Sequence, residues 1–164
     1  MPRQSTKSRS KPRARRTPAR RVARAPRRVT TVPARNGAVQ AFLDRFARDL
    51  TAGRMQDIVS KWGVPALVIE DDDVRAVTSP AEVEAFFSGA KEQYNARGIT
   101  DTRADIRGLE WATDKIAIVH VRWPYLDAQG QEMGNEASSY VLRRDGTGDF
   151  RFYVAVLRGA STPT

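Results

Sequence analysis

The sequence predicts an α+β domain behind a basic N-terminal segment. Three observations lead there: a charge distribution that divides near residue 36, helical periodicity that ends by residue 98, and long strand-like segments after it. Of 164 residues, 28 are Lys or Arg and 19 are Asp or Glu, a formal charge of +9. Residues 1–36 hold thirteen of those cations and no acid. Residues 37–164 therefore carry 15 cations against all 19 acids, a mildly acidic domain behind a very basic tail.

The segment 1–36 lacks the apolar side chains of a core, and Pro12, Pro18, Pro26 and Pro33 break any helical register. It reads as disordered. Dense Arg without acids suits contact with nucleic acid or another polyanion, non-specific and salt-sensitive because no aromatics are interleaved. A targeting leader and a start-site artefact are the rival readings.

The domain is expected over 37–158, with 159–164 a flexible C-terminus. Val39, Phe42, Leu43, Phe46 and Leu50 follow the i, i+3, i+4, i+7 spacing of an amphipathic helix that ends near Gly53, with Arg45, Arg48 and Asp49 on its other, solvent-facing side. Met55, Ile58, Val59 and Trp62 mark a short second helix, closed by Gly63 and Pro65. Residues 66–69 and 74–77 read as a strand pair around the acidic turn of Glu70, Asp71, Asp72 and Asp73. Ser79, Pro80 and Glu82 form a helix start with N-cap, first-turn proline and capping-box acid. That third helix carries Val83, Phe86, Phe87, Ala90 and Tyr94 and stops at Gly98. Strands follow at about 100–111, 115–126, 135–144 and 149–158, joined by Asp/Gly-containing hairpin loops.

Two of these strands are apolar on both faces. Ile116, Ile118 and His120 alternate with Ala117, Val119, Val121 and Trp123. Phe150, Phe152, Val154 and Val156 alternate with Arg151, Tyr153, Ala155 and Leu157. An antiparallel sheet with one wet face alternates apolar with polar residues, so both faces here need cover. The helices cover one, and a second copy of the chain is the expected cover of the other, a homodimer through the sheet.

Three helices broken by a strand pair, then a four-stranded meander, resemble the nuclear transport factor 2-like superfamily. That group includes SnoaL-like polyketide cyclases and steroid delta-isomerases. Residues 42–54 look like its first-helix signature, an aromatic helix ending in a small-Gly-polar turn. The resemblance implies a cone-shaped fold, its helices packed on a curved antiparallel sheet with a mixed edge, around an apolar ligand pocket. It also agrees with dimerisation through the sheet. The steroid-isomerase site carries over poorly. Its tyrosine corresponds to Phe46, its base falls near Glu70 or Asp71, and its protonated Asp falls near Ser138 or Ser139. One of three elements survives, so steroid-type isomerisation is not the expected activity.

Composition excludes several chemistries. No Cys means no disulfide, thiol nucleophile or thiolate-bound metal, and one His rules out a multi-His centre. No metal or cofactor is expected: the acidic turn lacks the Gly and distal Glu of a calcium loop, and no phosphate-cradling glycine loop occurs. No apolar run approaches the ~18 residues of a membrane span, so a soluble, cytoplasmic protein is expected. The expected ligand pocket is lined by Phe46, Trp62, Phe86 and Tyr94 from the helical half, and by Trp123, Tyr140 and Tyr153 from the strands. Acid–base chemistry, if present, falls to His120 with Glu70 or Asp71. Arg122 shares the parity of His120 and can hold an anion or a rim salt bridge. Two readings stand: a small-molecule-binding domain with cofactor-free acid–base chemistry, or a non-catalytic dimerisation module whose tail contacts a polyanion.

Overall fold

The computed structural model describes residues 31–161, with the side chain of Ser161 left out. Most of the basic segment and the last three residues therefore lie outside the described residues. Among the described residues, helices α1 (Val32–Ala52), α2 (Met55–Ser60), α3 (Pro80–Phe87) and α4 (Ala90–Ala96) pack on a curved, unclosed sheet. Its strands are β1 (Trp62–Ile69), β2 (Val74–Val77), β3 (Asp101–Thr102), β4 (Asp105–Trp111), β5 (Ile116–Leu126), β6 (Glu132–Arg144) and β7 (Phe150–Ser161). The order is β2-β1-β7-β6-β5-β3, with β4 also on β5. All pairs are antiparallel except β1 with β7, which makes the sheet mixed. This is the expected α+β class.

Several boundaries differ from the sequence reading. Helix α2 stops at Ser60, and Trp62, Gly63 and Pro65, expected as its last turn and stop, already belong to β1, while β7 runs on to Ser161, past the expected end at 158. Helix α1 opens at Val32, not after Asn36, because Pro33 sits in its first turn where its missing N–H costs nothing. Arg35 and Asn36 already belong to the domain: Asn36 Oδ1 accepts from Trp111 Nε1 at 2.9 Å, and Arg35 stacks over the Trp111 ring at 4.7 Å. The expected third helix is two, since Gly89 adopts φ +77° between α3 and α4. Ser79 caps α3 as expected, but Glu82 reaches past it to the Thr78 N–H at 2.7 Å. At the other edge, the long strand expected from residue 100 is broken around Arg103 and Ala104 into β3 and β4.

The inner face of the sheet and the buried side of α1 form one core. Phe152 stands at its centre, fully buried, its ring 4.8–5.2 Å from those of Phe42, Phe46, Trp62 and Tyr140. An irregularity in the β6–β7 ladder between Leu142↔Phe152 and Val141↔Val154 changes which residues of β7 face inward. Phe150 and Phe152 are buried before it, Ala155 after it, while Val154 and Val156 are only half-buried. Strict alternation over 150–157 therefore fails at this point. Asp49, read as solvent-facing, is 5% exposed and is held by Arg54 and Lys61.

Candidate functional site

A cavity of about 530 Å³ opens between the helices and the inner face of the sheet. Helix α1 contributes Phe46 and Leu50, β1 contributes Trp62, and the α3–α4 pair contributes Phe86, Phe87 and Tyr94. The sheet supplies Trp123 from β5 and Ser138 and Tyr140 from β6. Amphipathic periodicity turns Phe46 and Leu50 inward, and period-two alternation does the same for Trp123, Ser138 and Tyr140. Most of these rings touch one another: Phe46 meets Phe87 and Trp123 edge-on, with centroids 5.8 and 6.1 Å apart.

Polar groups in the wall are of two kinds: those held by neighbours and those open to the cavity or to water. Trp123 Nε1 donates to the Tyr140 hydroxyl at 3.1 Å. Burial pushes the Tyr140 hydroxyl above its ordinary range against the pull of hydrogen bonds from Ser138 and Trp123, so it stays a neutral phenol. At one end, Tyr125 donates its hydroxyl to Glu136 Oε2 at 2.6 Å, and Tyr94 lies with its ring 5.8 Å from that of Tyr125. Desolvation raises both tyrosines, with the Glu136 carboxylate adding to it. Trp62 is 5% exposed, and its Nε1–H has no acceptor among the described residues. Glu70, Asp71 and Asp72, from the β1–β2 turn, are exposed residues that also border the cavity.

Six of the seven rings expected at a pocket, Phe46, Trp62, Phe86, Tyr94, Trp123 and Tyr140, border this cavity. Tyr153 does not. It lies against Gly63, where an added Cβ would stand 2.3 Å from its ring, so the glycine makes room for the tyrosine. His120 is also elsewhere: it is exposed and on the opposite face of the sheet from its neighbours Val119 and Val121. There its Nδ1 and Ser139 Oγ are 2.7 Å apart, and Gly108 of β4 pairs opposite it. The acid–base set of His120 with Glu70 or Asp71 is therefore not assembled, because strand alternation sends the histidine away from the cavity. Arg122, on the same side as His120, is an ion-pair partner of Asp105 and Glu132.

Sequence reasoning missed Glu136, Ser138 as a wall residue, and Thr102. The first two were legible: residues 136, 138 and 140 share one parity, so assigning Tyr140 to the cavity carries Glu136 and Ser138 with it. Thr102 gave no such signal. It sits in a two-residue strand, with its hydroxyl donating to the Pro124 carbonyl at 2.8 Å. Among the described residues, no three His, Cys, Asp or Glu side chains gather as a metal-ligand set.

Several solved structures share this architecture. A domain of unknown function with a cystatin-like fold from Nostoc punctiforme superimposes with TM-score 0.59 and 14% identity, covering 82% of this chain and 80% of that one. An NTF-2 like protein of unknown function from Shewanella oneidensis gives 0.56 and 9%, covering 75% and 98%. A ketosteroid isomerase-like protein from Erwinia carotovora gives 0.52 and 10%, covering 76% and 97%. Such identities speak to fold alone. No curated protein sequence matches the chain. The family model described as NTF2-like protein (DUF6841) matches residues 35–160, most of the chain and nearly all of its described part, and the protein belongs to that NTF2-like family.

Proposed function

We propose that this protein binds a small, flat, largely apolar organic molecule in the cavity between its helices and its sheet. The observation that carries the reading is a space of about 530 Å³ bordered by seven aromatic rings. That volume is within the range of small-molecule sites, and a wall of aromatic rings with polar groups at defined points is typical of them. Ser138 and the Tyr140 hydroxyl are polar points in the wall for orienting such a ligand, with Glu136 at one end. The test is a cavity-filling variant. Ala90, half-buried at the start of α4, borders the cavity, and Ala90→Trp should fill it while the helix persists. In a thermal-shift screen of aromatic compounds, ligands should raise the melting temperature of the native protein and leave the variant unmoved. Equal shifts in both place binding elsewhere and defeat the reading.

A specific feature of the outer face favours a second proposal, self-association through the sheet. Leu67, Val154, Val141 and Ile118 are cross-strand neighbours in one continuous row. Leu67 is 41% exposed and the other three are half-buried, an apolar stripe that a second copy can cover. For the basic segment, whose first thirty residues lie outside the described residues, polyanion contact is proposed from composition alone; its sign is a steep fall of nucleic-acid affinity with salt.

A further inference from the structure

The cavity's charge narrows the chemistry of its ligand. Among the described residues, its border carries four carboxylates, Glu70, Asp71, Asp72 and Glu136, and no Lys, Arg or His. Sixteen Lys and Arg stand among the described residues, and none of them borders the cavity. Cations near it stand outside that border, among them Arg158, exposed between the lining residues Leu157 and Gly159, and Arg97, whose charge is felt by the Tyr94 hydroxyl. Arg54 and Lys61 are ion-paired to Asp49, and Lys91 lies against Gly53 on the far end of α1. Arg97 rests over the Tyr125 ring at 4.9 Å, outside the cavity border. Four negative groups thus share one concave space with rings whose faces are themselves negative.

We propose that the ligand is an organic cation, a protonated or quaternary amine on a flat apolar body. The inference rests on the cavity reading above and specifies its charge. The aromatic wall takes the apolar body and attracts the ammonium through cation–π contact. Glu136, fixed by the Tyr125 hydroxyl at 2.6 Å, supplies a positioned counter-charge. The acidic turn adds a field at the cavity that draws cations in and turns anions away. An anionic ligand of the same shape meets four like charges and finds no cationic partner on the border.

Three probes of one size test this: naphthylmethylamine, naphthylmethanol and naphthoic acid, which at neutral pH are cation, neutral molecule and anion. Binding to the full chain is read by calorimetry at low and at moderate salt. The amine should bind about tenfold tighter than the alcohol, and the acid weakest. Glu136→Gln keeps an acceptor for Tyr125 and should erase most of the amine's advantage, with the alcohol unaffected. The double change Asp71→Asn, Asp72→Asn lies in an exposed turn that carries no core contact, and should reduce the advantage in part, more at low salt. Amine and alcohol binding equally, both abolished by Ala90→Trp, overturns the charge proposal while the cavity reading stands. Tighter binding of the acid overturns it too. Binding of none of the three, in native protein and variants alike, overturns both.

Discussion

The two faces of the β5–β6–β7 sheet are built from alternate residues of the same strands, yet they differ in almost every physical respect. Inward go Trp123, Tyr140 and Phe152, which join the helices around a core and an acid-bordered cavity. Outward go Ile118, Val141 and Val154, half-buried in a shallow apolar row that continues to Leu67. The cations that one face lacks stand on the other: Arg122 pairs with Asp105 and Glu132 there, and Arg143 and Arg151 are cross-strand neighbours. His120 belongs to this outer set. Residue type alone made it the obvious acid–base candidate, but one step of strand register outranks intrinsic chemistry in deciding which groups can meet.

The contrast is sharpest on β7. Phe152 is fully buried against four rings of the core, while Val154, two residues on, is only half-buried across the ladder irregularity. Phe152→Ala should cost about 3–5 kcal/mol in urea unfolding, since both transfer and cavity terms apply. Val154→Ala should cost about 1 kcal/mol or less. Equal losses at the two positions would mean that the outer row is as firmly packed as the core, and the comparison would collapse.

The same irregularity explains what the sequence could and could not disclose. Helix α1 was legible from Val39, Phe42, Leu43, Phe46 and Leu50 because its 3.6-residue period runs without interruption. Most of the cavity's rings were legible too, but the face of β5 was not: His120 and Trp123 were both expected at the site although they stand on opposite faces of that strand. Tyr153 was misplaced because an extra residue in one strand of a ladder leaves no mark in the hydrophobic pattern. Asp49 was misplaced for a different reason. Its partner Lys61 lies twelve residues on, beyond the reach of any helical spacing rule, and only the α1–α2 turn brings the two together. Glu136 was visible in parity but unremarked, since an acid between apolar strands looks like surface until its tyrosine partner is known.

Charge pairs extend the comparison at a smaller scale. Asp49 is 5% exposed and is held by Lys61 and by Arg54 Nη2 at 2.6 Å. Burial raises its carboxyl, but the hydrogen bonds and charges of Lys61 and Arg54 outweigh that and keep it below the ordinary range. Asp49→Asn should therefore cost about 2–3 kcal/mol at neutral pH, less than a wholly buried pair because Arg54 is half-exposed. The lowered carboxyl contributes stability above the unfolded-state value of about 3.9 and loses it as pH falls through the lower folded value. Unfolding curves of the two proteins should thus converge below about pH 4. On the outer face, Asp105→Asn removes a partner of Arg122 that is a quarter exposed, and should cost less than about 1 kcal/mol.

The smallest effect on the fold is expected at the outer row itself. Leu67 is 41% exposed, so Leu67→Lys can lay its alkyl stem along Val154 and hold its ammonium in water. Monomer stability should change by no more than about 0.5 kcal/mol. Association should respond far more. In a two-fold interface the same patch meets itself, so a single substitution buries two ammonium groups against an apolar surface with no acid assigned to them. Sedimentation velocity should show a dimer for the native chain and a monomer for the variant at matched concentration, with overlapping melts once both are diluted to monomer. A native chain that sediments as a monomer at every concentration leaves the outer row without a partner copy. The two faces would then differ only in packing, and the apolar stripe would have to be explained within one chain.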